Sequence, residues 1–190
     1  MNAAMGVPGQ YQRLMAGAVD PADAVTQALG GVLARFPILG LGAPALDRLL
    51  RRYFPRATGL GAVASGANSA GCSSLPADEF EDLQALLMAH RSNDDEETQW
   101  LACAVATACL GDNHLWQDMG LPDRDTLSLL LKRHFTTLYD RNTGNMKWKK
   151  FFYKQLCEQA EVNLCKAPSC KVCADYALCF GPEEGGRSTL

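Results

Sequence analysis

An all-α single domain is what this sequence predicts, and three observations carry the prediction. Apolar residues recur at helical spacing along most of the chain, and no stretch alternates apolar and polar residues at strand period. Aspartates and prolines stand where helices should begin. A chain of 190 residues buries a hydrophobic core without staples, so one domain is expected, ending in an irregular cysteine-rich loop.

Taken in order, Asp20 and Pro21 read as a cap and a first helical position, opening a helix to about residue 36. Residues 43–54 follow as a second helix, with Leu46, Leu49, Leu50 and Tyr53 on one face. These make an N-terminal helical region, 1–55. Residues 56–74 turn to Gly, Ala and Ser without periodicity and read as a flexible linker or loop. Leu75 and Pro76 start the next helix, and with it a helical core spanning 75–162. Its second helix opens on the acidic turn Asp94, Asp95, Glu96 and Glu97, suited to a helix dipole's positive end, and runs alanine-rich to about Leu110. Asp123 caps a helix in which Leu127, Leu130, Leu131, His134, Phe135 and Leu138 share one stripe. After a polar turn, residues 146–160 form a last helix bearing Trp148, Phe151, Phe152 and Leu156. Residues 163–181 hold the cysteine motif and should be irregular, leaving 182–190 as a disordered tail.

The net charge of −3 and apolar fraction of 47% point to neither a nucleic-acid-binding nor a membrane protein. The longest mainly apolar stretches, 36–46 and 100–110, are too short to span a bilayer. The first six residues carry no basic n-region and no apolar h-region, so a cytoplasmic, reducing location is expected. There, clustered cysteines serve as metal ligands or catalysts more often than as disulfides.

Four of the eight cysteines, Cys165, Cys170, Cys173 and Cys179, lie within fifteen residues at C-x4-C-x2-C-x5-C spacing. A short C-x2-C step wraps one small iron–sulfur cluster while outlying cysteines close its far corners. Pro168 stiffens the first gap against helix continuation. A four-thiolate zinc site also fits the residue types, although such sites more often pair two short knuckles. Cys157 is a further candidate ligand or a buried thiol. Cys103 and Cys109 sit six apart on an apolar helix, about 240° apart around its axis, and read as core. Cys72 stands alone in the linker.

Of the three histidines, His134 lies on an apolar stripe and reads as a core residue with one satisfied nitrogen. His90 ends a helix, and His114 follows a helix break; both are candidate metal ligands. Between Lys132 and Cys173 nine Lys/Arg face three acids, a local +6 in a chain of −3. Lys147, Lys149, Lys150 and Lys154 are the candidates for docking a partner or gathering an anion, against the plainer reading of a solvated helix face.

Met146, Lys147, Trp148, Lys149, Lys150, Phe151, Phe152 and Tyr153, followed by Leu156, Cys157 and the C-x4-C-x2-C-x5-C tail through Phe180 and Gly181, resemble the NifQ family of nitrogen-fixation proteins. His114, Leu115, Trp116, Gln117, Asp118, Met119, Gly120 and Leu121 match the same family, as does Trp100 in its alanine-rich helix. The resemblance covers roughly residues 83–181. It implies a molybdenum-trafficking role: a carrier of a molybdenum–iron–sulfur cluster for the iron–molybdenum cofactor of nitrogenase. The implied acceptor is the NifE–NifN scaffold, with the nitrogenase iron protein taking part and molybdate as a molybdenum source. It also implies Cys165, Cys170, Cys173 and Cys179 as cluster ligands. In a cluster of three irons and four sulfides the empty corner suits molybdenum, held there by a fourth ligand that exchanges.

Two other functions compete with a carrier. A helical DNA-repair glycosylase carries a similar tail, but with x6 in its first gap, and this chain has no LPGVG-type hairpin. A zinc-stabilised interaction module is the other. No nucleophile–base constellation and no phosphate-cradling G-x-x-x-x-G-K-[ST] loop is present, so a carrier rather than an enzyme is expected.

Overall fold

Asp-x-x-Thr opens three helices. The carboxylates of Asp23, Asp95 and Asp123 accept hydrogen bonds from the backbone N–H of Thr26 (2.9 Å), Thr98 (2.7 Å) and Thr126 (2.7 Å), satisfying orphan donors of each first turn. These bonds hold the Asp95 and Asp123 carboxyls below the ordinary carboxylate range. The structure, a computed structural model, describes residues 9–36, 40–58, 77–160 and 176–183. Among them ten helices and no strand occur: α1 (Gln10–Ala16), α2 (Ala24–Arg35), α3 (Ala43–Tyr53), α4 (Ala77–Ala89), α5 (Glu96–Cys109), α6 (Leu115–Asp118), α7 (Arg124–His134), α8 (Thr136–Arg141), α9 (Trp148–Gln159) and α10 (Tyr176–Phe180). The linker assigned to 56–74 lies, beyond residue 58, outside the described residues.

Helix α5 is the axis of the fold. Every residue from Trp100 to Cys109 is buried, as a helix apolar on all sides requires. Its alanines let α2, α4 and α6 close in around it, and α9 packs across α4. Cys103 and Cys109 are buried core residues, as expected from the apolar helix. Burial pushes their thiols up to about 11 and about 12, so neither offers a thiolate near neutral pH.

Backbone meets backbone where α2 crosses the turn after α6. A Cβ placed on Gly31 would lie 2.1 Å from the Met119 carbonyl oxygen and 2.8 Å from the Gly120 Cα. Gly120 itself has φ +69°, the left-handed region that glycine adopts freely.

Three boundaries differ from those the sequence suggests. The first long helix begins at Ala24 rather than Pro21, because Asp23 is its cap; Asp20 instead accepts from the Ala22 N–H at 3.0 Å. The stripe from Leu127 to Leu138 is two helices, α7 and α8, broken at Phe135 (φ −139°, ψ 52°). Ser92 causes the break: its N–H donates to the His134 carbonyl at 2.8 Å and its Oγ accepts from the Thr136 N–H at 2.9 Å. Finally, residues 176–180 of the stretch expected to be irregular are helical.

His134 is the core histidine its stripe suggests, 1% exposed, with Nδ1 3.0 Å from Thr98 Oγ1. Its Nε2 has no hydrogen-bond partner and lies 3.7 Å from Glu97 Oε1. Burial holds its pKa below the ordinary 6.5, against the pull of the Glu97 carboxylate. In the window just below 6.5 the unfolded chain therefore binds more protons than the folded one, and stability falls as pH falls. His90 is shifted the same way by burial and by Arg141. The midpoint of urea unfolding should drop between about pH 7 and pH 5, and His134→Gln should flatten that drop. An unchanged slope in the variant would assign the effect elsewhere.

Candidate functional site

The lysine-rich helix divides its residues by face. Trp148, Phe151 and Phe152 are buried, with ring centroids 5.8–6.0 Å apart, and Trp148 Nε1 donates to Ser128 Oγ at 3.1 Å. This aromatic face fixes where the lysines between them go. Lys149 turns inward: its ammonium lies 2.6 Å from Asp118 Oδ2 and 2.7 Å from the Gly111 carbonyl. Asp118 is 1% exposed and also accepts from Asn113, through Nδ2 at 2.9 Å and the backbone N–H at 3.1 Å. Lys149 is thus engaged within the protein, joining α9 to α6, rather than turned to solvent as a docking charge. Lys154 pairs with Glu158 at 3.5 Å, one turn along the same helix. Lys147 and Lys150 border a cavity of about 750 Å³ that His114, Tyr153, Leu178 and Glu183 also line.

That cavity is closed on one side by the end of the cysteine motif. The Lys147 N–H donates to the Cys179 carbonyl at 2.8 Å, and Cys179 is half-buried against the core. Four residues on, Glu183 Oε2 accepts from Trp116 Nε1 at 2.9 Å. Its other oxygen is 3.6 Å from Arg124 Nη1, and His114 Nδ1 stands 3.8 Å from Oε2. Arg124 in turn donates from Nη2 to the carbonyls of Asn145 (3.1 Å) and Met146 (2.9 Å), holding the approach to α9. Three stretches singled out in the sequence, 114–121, 146–153 and the end of the cysteine motif, meet here through the Lys149–Asp118 and Lys147–Cys179 contacts.

The remaining candidates are placed as follows. Cys165, Cys170 and Cys173 lie outside the described residues, as does Cys72. Cys157 is half-buried on α9. His114 borders the cavity, whereas His90 engages Thr137 of α8, Nδ1 to Oγ1, at 2.8 Å. Among the described residues no three His, Cys, Asp or Glu side chains gather as a metal site. Sequence reasoning missed Glu183, whose partners lie far away along the chain and whose surroundings resemble a tail. It also missed the role of Asp118, although that residue stood inside a motif already singled out.

The family model described as NifQ matches residues 22–181. Protein NifQ of Azotobacter vinelandii is 45% identical over 152 residues, 76% of this chain and 78% of that protein. A protein NifQ homolog of Sinorhizobium fredii is 40% identical over 146 residues, 77% of this chain and 62% of that protein. Protein NifQ of Rhodobacter capsulatus is 44% identical over 87 residues, about half of each chain. No solved structure matches the chain.

Proposed function

The chain belongs to the NifQ family of nitrogen-fixation proteins, and we propose that it is a molybdenum carrier for nitrogenase cofactor assembly rather than an enzyme. Its cargo is a molybdenum–iron–sulfur cluster held by Cys165, Cys170, Cys173 and Cys179, and its acceptor is the NifE–NifN scaffold acting with the nitrogenase iron protein. The observation that carries this reading is the meeting of the family's three segments beside the end of the cysteine motif, through the Lys149–Asp118 and Lys147–Cys179 hydrogen bonds.

The donor chemistry suits such cargo. Thiolates are soft ligands that hold iron and reduced molybdenum, whereas molybdate is a hard oxyanion. Lys147 and Lys150 at the cavity, with Lys154 further along α9, supply positive charge to draw that oxyanion in. Cys179 stands half-buried, its carbonyl accepting from the Lys147 N–H. No helix among the described residues is long and apolar enough to cross a membrane.

Metal analysis and EPR on anaerobically purified protein, before and after incubation with molybdate, test the reading. Brown protein containing iron and sulfide that gains molybdenum is expected. A colourless, zinc-loaded protein would replace it with a zinc-stabilised interaction module. In a Cys→Ala series at the four tail positions, all four variants should lose iron, and one should lose molybdenum disproportionately. Equal loss of both metals at every position would end the idea of a separate molybdenum corner.

A further inference from the structure

Helix α10 buries none of its five residues, and Tyr176 and Leu178 are 49% and 61% exposed. Only its last two residues, Cys179 and Phe180, pack half-buried against the core. Two polar contacts add to this packing: the Lys147 N–H on the Cys179 carbonyl, and the Glu183 carboxylate seated against Trp116 and Arg124 with its side chain only 7% exposed. A carboxylate that far out of water needs paired donors, and here they come from α6 and the start of α7. Between these two attachments the Gly181 N–H closes the helix on the Ala177 carbonyl at 2.9 Å.

Resting on the carrier reading, we propose that Glu183 is the positioning residue for Cys179: its clasp by Trp116 and Arg124 fixes where the last thiolate of the motif stands. Glu183 touches no cargo. It acts by holding the chain four residues beyond Cys179 while Lys147 holds the Cys179 backbone itself. Ligand thiolates keep a cluster only while their backbone is held, so the strength of this clasp sets how readily the Cys179 corner lets go. Hydrogen bonds to a charged group are strong enough to matter yet weak enough to break, as a handover requires.

The test uses the full chain with Glu183→Ala, Glu183→Gln and Trp116→Phe. In metal-free, reduced protein, the iodoacetamide alkylation rate of Cys179 is followed by peptide mass spectrometry, with Cys157 as internal reference. Glu183→Ala should raise the Cys179 rate about ten-fold, the factor one charge-assisted hydrogen bond supports, with the Cys157 rate and the Tm nearly unchanged. Trp116→Phe should raise it by a smaller factor, and Glu183→Gln, which keeps an acceptor for Trp116, should recover part of the protection. In anaerobically purified protein, Glu183→Ala should speed iron loss to a chelator and alter the EPR line shape.

An unchanged Cys179 rate in Glu183→Ala overturns the proposal, as does an equal rise at Cys157, which would mean general loosening. Faster alkylation in a protein that carries no iron even as wild type would leave the clasp standing and remove the carrier reading.

Discussion

Lys149→Met is expected to cost about 3 kcal/mol of stability, the lower end of the range for stranding one partner of a buried ion pair. The low end applies because Asn113 keeps two hydrogen bonds on the Asp118 carboxylate after the ammonium is gone. The loss arises chiefly from the survivor: Asp118, 1% exposed, is left buried without its counterion. In thermal unfolding, a chain of this size should melt roughly 6–12 °C lower. Removing both charges, in Lys149→Met with Asp118→Asn, should restore much of the difference. If the double variant is no more stable than the single one, the lysine's packing rather than its charge carries the effect.

Gly31→Ala should lower stability by about 2 kcal/mol despite alanine's better helix propensity. Propensity favours the variant by about 1 kcal/mol, but the new methyl meets the Met119 carbonyl at 2.1 Å. Neither that carbonyl nor the Gly120 Cα can rotate away, so α2 must back off, at a cost of about 3 kcal/mol, the top of the overpacking range. Gly30→Ala is the control within the same helix. There the added Cβ meets the far end of the Met15 side chain at 2.3 Å, which can swing aside. Urea unfolding of both variants should show Gly31→Ala clearly weaker and Gly30→Ala within about 1 kcal/mol of the parent. Equal losses would show that α2 tolerates no added volume anywhere, rather than being held at one crossing.

Local signals made much of this architecture legible, and distant partners hid the rest. Asp123 and the acidic turn before α5 announced their helices, because a cap acts within four residues of itself. The same logic fits Asp23, where a proline after Asp20 offered a competing signal; only the Thr at the third position tells them apart. The break at Phe135 is invisible in its own stripe, since Ser92, 44 residues from Thr136, imposes it. At the site, aromatic spacing located the buried face of α9, but charge counting treated its lysines alike. Lys149 differs because Asp118, 31 residues earlier, waits beneath it. Glu183 is the extreme case, one of two adjacent acids ahead of a glycine pair, whose partner Trp116 is 67 residues away.

One hydrogen bond gives this chain two separable stabilities. The Lys147 amide precedes the first turn of α9, whose aromatic face belongs to the core, yet its proton is donated to Cys179. That amide therefore exchanges with solvent at the free energy of releasing α10, while amides in the interior of α9 exchange only when deeper structure opens. Hydrogen exchange should therefore show the Lys147 amide less protected than the amides in the interior of α9; equal protection would show that α10 opens only with the core.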